Sequence, residues 1–242
     1  MPNDYFQFKQ FLVKQDKCAM KVCTDACLFG AWMADRIKNE KLIISNVLDV
    51  GCGTGLLSLM LAQKLPDAII DAVEIDEAAA KQARENFNAS KWKERLNVYH
   101  SSIQNFASIA TTKYDVIIAN PPFYENDLKS SNAKRNLALH SSDLKLEELI
   151  SIADKLLNED GSFFVLLPHQ RIEYFDELIE GKFFMQEKIL VKQSEKHKWF
   201  RGLVWIRKKS GQAIQLTIII MNESNEYTPE FVNLLKYYYL NL

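Results

Sequence analysis

Short apolar runs alternate along the chain with longer segments in which apolar residues recur every three or four positions. The runs predict strands at 46–50, 69–75, 95–100, 114–119 and 162–167. The longer segments predict helices at 24–39, 55–65, 77–90, 143–158 and 171–180. Such alternation is typical of parallel strands joined by crossover helices. The pattern therefore predicts an α/β fold with a mostly parallel sheet and helices on both faces.

Three more strand-like runs follow near the C-terminus, at 184–194, 202–208 and 214–222. A short polar segment at 208–212 joins the last two, which predicts an antiparallel hairpin at the edge of the sheet. The whole sheet is expected to contain seven strands. We expect one domain over 1–242, with an N-terminal extension and first helix in 1–35 and the core of the fold in 36–242.

Asn120, Pro121, Pro122 and Phe123 directly follow the strand predicted at 114–119. Two prolines remove two backbone donors and turn the chain out of the sheet. The Asn120 side-chain oxygen and the Pro121 carbonyl are then free to accept hydrogen bonds, and an aromatic ring follows. Two acceptors beside a stacking face suit a planar amino group, although a plain Pro-Pro loop closing a strand would use the same residues.

A glycine-rich turn, with Gly51, Gly53 and Gly55, follows the first strand of the predicted core. Glycine lets the backbone turn sharply and approach a ligand closely. The spacing is not the Gly-x-Gly-x-x-Gly of dinucleotide-binding turns, and Asp49 disfavours a pyrophosphate but suits an ammonium group. Glu74 ends the next strand, where a carboxylate either accepts both hydroxyls of a ribose or lies at the surface. An ammonium and a ribose together describe S-adenosylmethionine better than NAD.

Three motifs in this order resemble the class I methyltransferases that modify exocyclic or amide nitrogens: Asp-Val-Gly-Cys-Gly-Thr-Gly at 49–55, Val-Glu-Ile-Asp at 73–76 and Asn-Pro-Pro-Phe at 120–123. The flanking segments resemble those of the bacterial tRNA(Val) adenine-N6 methyltransferases, and they lie at 8–11, 18–32, 224–231 and 235–240. The resemblance covers essentially the whole chain and implies a Rossmann-like class I methyltransferase fold.

The resemblance also implies the cofactor, S-adenosylmethionine, and a catalytic turn at 120–123. The cofactor-binding residues that it implies are Lys21, Thr24, Asp25, Asp49, Gly51, Gly53, Gly55, Glu74, Ser102 and Asn120. Two positions depart from the family pattern. Cys23 stands where a glycine is expected, so the backbone there must avoid a positive φ. Ser102 stands where an aspartate often binds the cofactor adenine, and its hydroxyl can still pair with an adenine edge.

The reaction that the resemblance implies is methylation of N6 of the adenine 3′ to the anticodon of tRNA(Val). Asn-Pro-Pro chemistry serves any planar amino group, so a release-factor glutamine and a guanine N2 remain alternative acceptors. A nucleotide-binding module without chemistry is the alternative from another class.

The net charge of −1 is unusual for an enzyme that acts on tRNA, because phosphate contacts dominate nucleic-acid affinity. The distribution of charge is more favourable, since the basic segment, residues 182–209, has nine Lys and Arg against two Glu. This segment either contacts RNA or forms a solvated charged face. The expected RNA-binding residues are Lys129, Lys134, Arg135, Lys196, Lys198 and Arg201.

The apolar runs, the N-terminus and the cysteines limit the location and the metal content that we expect for the protein. No apolar run approaches the roughly 18–20 residues of a membrane span, and no signal peptide is expected at the N-terminus. Cys18, Cys23 and Cys27 match no zinc spacing, so we expect free thiols and no metal. We expect a cytoplasmic protein that acts as a monomer.

Overall fold

The computed structural model of the protein describes residues 3–121 and 145–242. Its first elements are two short strands, β1 (Tyr5–Gln7) and β2 (Leu12–Lys14), which pair in an antiparallel hairpin outside the main sheet. The sequence pattern does not predict this hairpin, because three residues are too few to show an alternating period. Phe8 and Phe11 in its turn are buried and stacked, so aromatic packing attaches the hairpin to the core.

Five parallel strands form most of an eight-stranded sheet, in the spatial order β7-β6-β3-β4-β5. They are β3 (Asn46–Val50), β4 (Ile69–Glu74), β5 (Leu96–His100), β6 (Tyr114–Ala119) and β7 (Leu157–Pro168). All five were predicted, because buried parallel strands read as continuous apolar runs. Only β7 is much longer than its apolar run, and its register against β6 shifts between Tyr114 and Val116.

Helices cover both faces of this sheet. The described part of the chain contains α1 (Thr24–Asn39), α2 (Leu56–Ala62), α3 (Glu77–Asn88), α4 (Ile103–Ile109), α5 (Leu146–Leu156), α6 (Ile172–Ile179) and α7 (Pro229–Leu235). α1, α2, α3, α7 and the N-terminal hairpin share one hydrophobic cluster with the sheet, and α4, α5 and α6 share the other. None of the described helices is long and apolar enough to cross a membrane.

The C-terminal strands correct one expectation. β8 (Phe184–Lys192) and β9 (Trp199–Arg207) form the antiparallel hairpin, and β10 (Ile214–Ile219) pairs with β8 in parallel instead of pairing with β9. β9 lies between β7 and β8, so both of its edges are already occupied when β10 joins the sheet. The sheet therefore has eight strands where seven were expected.

α1 is tied to β8 through the buried carboxylate of Glu187. Its Oε1 accepts a hydrogen bond from Trp32 Nε1 at 3.0 Å, and its Oε2 lies 2.8 Å from Arg36 Nε. A buried carboxylate needs such donors, because burying its charge without partners costs several kcal/mol of folding free energy. Each hydrogen bond that is lost contributes about 1–3 kcal/mol to this cost. The contact fixes the orientation of α1, whose first residues lie at the candidate site.

Candidate functional site

The candidate site lies where the carboxyl ends of three central strands coincide. Val50 at the end of β3 pairs with Val73 of β4 and with Ala119 of β6. The residues that come next therefore meet at one edge, and they are Gly51, Glu74 and Asn120. Ligands of open α/β sheets bind at this edge, because the strands end there and the loops diverge.

The three glycines of the turn have different local roles. Gly51, Gly53 and Gly55 have φ values of +69°, +53° and +79°, in the left-handed region that favours glycine. A Cβ on Gly55 would lie 2.4 Å from Cε1 of Phe87, so this glycine permits close packing of the turn against α3. A Cβ on Gly51 or Gly53 would meet no atom within 4 Å. The backbone at these two positions faces open space that a ligand can fill.

Glu74 is buried and is held by two backbone amides. Its Oε2 accepts a hydrogen bond from Gly53 N at 2.8 Å, and its Oε1 accepts one from Asp76 N at 2.9 Å. Each carboxylate oxygen has a second lone pair, so both can accept a further hydroxyl. The contact of Glu74 with the ribose hydroxyls stays a prediction.

Asp49 is more deeply buried, with 1% of its surface exposed. Its Oδ2 accepts a hydrogen bond from Ser58 Oγ at 2.6 Å, whereas Oδ1 is buried with no partner among the described residues. Burial raises the pKa of Asp49 to about 7; the Ser58 hydrogen bonds oppose this rise and the charge of Glu74 adds to it. An ammonium group would supply the missing partner for Oδ1, so the residues present fit the amino-acid end of S-adenosylmethionine.

Ser58 was not among the residues predicted for the site. Its signal is a single hydroxyl within the otherwise apolar α2, Leu-Leu-Ser-Leu-Met-Leu-Ala. The structure explains this residue, because its fully buried hydroxyl needs an acceptor and finds it in Asp49.

The start of α1 lies near the same edge of the sheet. Cys23 precedes the helix with φ −127° and ψ 156°, which confirms that the backbone avoids a positive φ where the family has glycine. Thr24 is the first helical residue, and Asp25 is buried with its Oδ2 2.7 Å from Arg201 Nε. Lys21 is exposed, and its Nζ donates to the Asn3 carbonyl at 3.3 Å. The cofactor roles of Lys21, Thr24 and Asp25 stay predictions.

Ser102 has a structural role that the sequence analysis did not include. It precedes α4, and its Oγ accepts a hydrogen bond from Asn105 N at 3.2 Å as a helix cap. α4 was not among the predicted helices, although Ile103, Phe106 and Ala107 show helical spacing after a serine cap. The hydroxyl hydrogen remains available to an acceptor, so the contact with a cofactor adenine stays a prediction.

Asn120 directly follows β6 and is partly exposed, and Pro121 after it is buried. Pro122 and Phe123 of the same turn lie outside the described residues, as do Lys129, Lys134 and Arg135. The structure therefore gives the position of the two predicted hydrogen-bond acceptors, Asn120 and the Pro121 carbonyl.

The basic segment is less basic in three dimensions than in sequence. Arg201 is expected to bind RNA phosphate, but its guanidinium is already paired with the buried Asp25. Lys188 pairs with Asp176 at 3.1 Å, and Lys208 pairs with Asp154 at 3.3 Å. These ion pairs reduce the excess of positive charge that the sequence of the segment shows. Tertiary contacts bring in acidic partners that lie outside the segment.

Lys196 and Lys198 differ from these residues, because they are exposed and have no ion-pair partner among the described residues. They lie in the turn 193–198, which joins β8 to β9. Arg201 of β9 pairs with Pro168 at the carboxyl end of β7, so this turn lies at the same edge of the sheet as Asn120. β8 is three strands from β6, a distance of roughly 14 Å at the usual strand spacing.

Within 3–121 and 145–242, no group of three or more His, Cys, Asp or Glu side chains is arranged to hold a metal ion. Cys18, Cys23, Cys27 and Cys52 are free thiols, and burial raises the pKa of Cys23 and Cys27 to about 12.

Residues 30–198 match the family model described as the methyltransferase small domain. Among curated relatives named tRNA1(Val) (adenine(37)-N6)-methyltransferase, one from Cytophaga hutchinsonii is 39% identical over 100% of both chains. Another, from Trichodesmium erythraeum, is 41% identical over 99% of both chains.

Two solved structures show the same fold at low sequence identity. A predicted O-methyltransferase from Agrobacterium tumefaciens has a TM-score of 0.67 at 18% identity, covering 90% of this chain and 100% of that one. A protein from Listeria monocytogenes assigned to the class I S-adenosylmethionine-dependent methyltransferases has a TM-score of 0.61 at 15% identity, covering 88% and 71%. At these identities the likeness concerns the fold alone.

Proposed function

The chain belongs to the methyltransferase small domain family, and we propose that it transfers a methyl group from S-adenosylmethionine to N6 of adenine 37 in tRNA(Val). The observation that carries this proposal is the register of the sheet. Val50 pairs with Ala119, so the acceptors of the Asn120–Pro121 turn lie beside the glycine-rich turn. Relatives of the same full length that bear this enzyme name support the choice of substrate.

The residues that hold the cofactor are those at this edge whose oxygen atoms can accept a further hydrogen bond or whose backbone borders open space. Asp49 accepts the ammonium group through its unpartnered Oδ1, and Glu74 accepts the ribose hydroxyls. Gly51 and Gly53 leave the space beside the backbone open. When bound, S-adenosylmethionine supplies a methyl group on a positively charged sulfur, and no strong base is required.

The contribution of Asn120 and Pro121 is to orient the amino group of the adenine. This amine is a poor nucleophile, because its lone pair is delocalised into the ring. The Asn120 side-chain oxygen and the Pro121 carbonyl accept hydrogen bonds from its two N–H groups. These two hydrogen bonds direct the lone pair of the nitrogen toward the methyl group. Positioning of this kind supplies much of the rate enhancement in such reactions. The stacking role of Phe123 stays a prediction.

The tRNA lies across the carboxyl edge of the sheet in this proposal. Lys196 and Lys198 contact phosphate at one side of the site; the strand that they follow, β8, lies roughly 14 Å from β6, a distance that a few nucleotides span. An anticodon-loop base is already single-stranded, so turning it into the site costs less than opening a duplex. The whole chain acts as one domain, and the tRNA substrate implies a cytoplasmic protein.

The alternatives share the same turn. A glutamine methyltransferase acting on a release factor and a guanine-N2 methyltransferase would both use Asn120 in the same way, and a nucleotide-binding module would not use it for chemistry. The curated relatives that match along their whole length carry the adenine-N6 name, which favours that function over the other three.

Asn120→Ala tests the proposal. Removing one of two acceptors should lower single-turnover methyl transfer to unmodified tRNA by about a hundredfold, the effect of losing one preorganised hydrogen bond of roughly 3 kcal/mol. Affinity for S-adenosylhomocysteine should be nearly unchanged. Asn120→Asp keeps an acceptor oxygen and should retain more activity.

Asn97→Ala is the matched control, because it removes an exposed asparagine from β5, whose side chain donates a hydrogen bond to Asp71 away from the site. It should transfer methyl at the wild-type rate. Nucleoside analysis should identify the product as N6-methyladenosine. Wild-type rates for Asn120→Ala, or a product methylated elsewhere, would contradict the proposed function.

A further inference from the structure

The N-terminal strap, residues 14–23, connects the end of β2 to the start of α1. It crosses α3, where two amide side chains lie four residues apart and therefore on one face of the helix. Gln82 is 0% exposed and Asn86 is 2% exposed. Fully buried amides must find partners for all of their polar atoms, and both find them outside their own helix.

Among the described residues, the side chain of Gln82 forms hydrogen bonds with the strap alone. Its Oε1 accepts a hydrogen bond from Lys17 N at 2.9 Å, and its Nε2 donates to Asp16 Oδ1 at 2.7 Å. Lys17 also pairs with Glu85 on the outer side of α3, at 2.9 Å. These contacts hold the middle of the strap on the helix.

Asn86 binds the strap and the glycine-rich turn together. Its Oδ1 accepts a hydrogen bond from Lys14 N at 2.9 Å, and its Nδ2 donates to the Lys14 carbonyl at 3.0 Å. The other Nδ2 hydrogen goes to the carbonyl of Thr54 at 2.9 Å. Thr54 lies between Gly53 and Gly55, so one buried side chain connects two segments that are distant in sequence.

We infer that Asn86 is a positioning residue of the cofactor site, which holds the glycine-rich turn and the N-terminal strap together as two walls of that site. The inference rests on the proposed function, because it assumes that the glycine-rich turn binds S-adenosylmethionine. Asn86 acts through Thr54 and Lys14, both by their main-chain atoms, and has no direct role in the chemistry.

Two neighbouring contacts support this assignment. Phe87, the next residue of α3, packs against Gly55, so α3 supports the turn at two adjacent positions. Cys18 of the strap is half-buried near Glu74: burial first and then the charge of Glu74 raise the pKa of its thiol to about 12. The strap therefore lies within the range of the charge on the predicted ribose-binding carboxylate, and Asn86 connects it to the turn.

A matched pair of substitutions tests the inference. Asn86→Leu and Gln82→Met each replace a buried amide with an apolar side chain of similar shape, and both release the strap. Only Asn86→Leu also releases Thr54. We expect Asn86→Leu to weaken S-adenosylhomocysteine binding by about tenfold or more, and Gln82→Met by less than about threefold. Calorimetry gives both affinities, and the melting temperatures show how far each variant is destabilised.

Steady-state kinetics separate positioning from a general loss of stability. Asn86→Leu should raise the KM for S-adenosylmethionine while kcat at saturating cofactor stays within a few-fold of wild type. Equal affinities for the two variants, or a loss of kcat without a change in KM, would overturn the inference. If the wild-type protein itself failed to bind S-adenosylhomocysteine, the proposed function would be wrong as well.

Hydrogen exchange on the wild-type protein decides the matter if Asn86→Leu does not fold. Binding of S-adenosylhomocysteine should slow amide exchange in residues 51–55 and in the strap together, because Asn86 joins them. Exchange in β8, which lies four strand positions from β3 in the sheet, serves as the internal reference. A strap whose exchange does not change while residues 51–55 become protected would overturn the inference.

Discussion

The glycine-rich turn and the basic segment 182–209 are both prominent in the sequence, but only the first keeps its expected character in the structure. The turn has three glycines with positive φ at the carboxyl end of β3, as its spacing predicts. The basic segment loses much of its charge to ion pairs with acidic residues such as Asp25, Asp154 and Asp176.

The difference arises from what each feature depends on. A positive φ is a property of the local backbone, so a glycine pattern carries its meaning in the sequence itself. The effective charge of a lysine or arginine depends on which carboxylate lies within about 4 Å, and most of the partners here, such as Asp25, Asp154 and Asp176, precede the segment in the chain. Motifs of backbone geometry are therefore safer guides to a site than local counts of charge.

The largest expected effect comes from the glycine turn. Gly53→Leu should weaken S-adenosylhomocysteine binding by roughly a hundredfold or more, because the side chain would occupy the open space beside the turn. Gly181→Leu is the matched control, since Gly181 also has a positive φ and open space around it but lies between α6 and β8. Both changes carry a similar backbone strain of about 1–2 kcal/mol.

Calorimetry and thermal melting distinguish the two outcomes. Gly181→Leu should lower the melting temperature and leave binding intact, and Gly53→Leu should weaken binding by roughly a hundredfold or more at a similar loss of stability. Similar affinities for the two variants would show that the turn is a structural feature and no ligand site.

The second effect is a pH dependence that originates at Asp49. Its pKa in the folded protein is raised from 3.8 to about 7, so the proton is bound more tightly in the folded state than in the unfolded state. The free energy of unfolding should therefore fall as pH rises from about 4 to about 7. An ammonium group stabilises the carboxylate, so S-adenosylhomocysteine affinity should rise by up to about tenfold per pH unit over the upper part of that range.

Asp49→Asn removes this titration and should flatten both pH profiles. Calorimetry in buffers with different ionisation enthalpies should also detect a proton released when the wild-type protein binds the ligand near pH 6. A wild-type affinity that is independent of pH, with no proton released, would rule out the ammonium contact at Asp49.

The smallest effect concerns the exposed lysines of the basic segment. Lys196→Ala with Lys198→Ala should weaken tRNA binding several-fold and reduce the slope of log affinity against log salt by roughly one to two. Lys208→Ala with Lys209→Ala is the matched control, because these lysines pair with Asp154, Glu159 and Asp160. Filter binding over a range of salt concentrations measures the affinity and the salt slope of both double variants. If the two double variants behave alike, position within the segment has no influence on RNA affinity.

The sequence by itself determined the central parallel strands and the residues at their carboxyl ends. Buried strands need apolar residues on both faces, and this requirement leaves a local pattern that the runs at 46–50, 69–75 and 114–119 display. The positions of Glu74 and Asn120 follow from the same pattern, because each one comes at the end of such a run. Glycine spacing predicted the turn for a comparable reason, since its φ values are a local property.

Only the tertiary structure decided the pairing of β10 with β8, the ion pair between Arg201 and Asp25, and the bridge from Asn86 to Thr54. Each of these joins residues that lie far apart in the chain and whose side chains or backbone groups have several possible partners. Local patterns of polarity do not choose among such partners. The choice depends on which groups the packed helices and strands bring within hydrogen-bonding distance, once burial requires every polar atom to be satisfied.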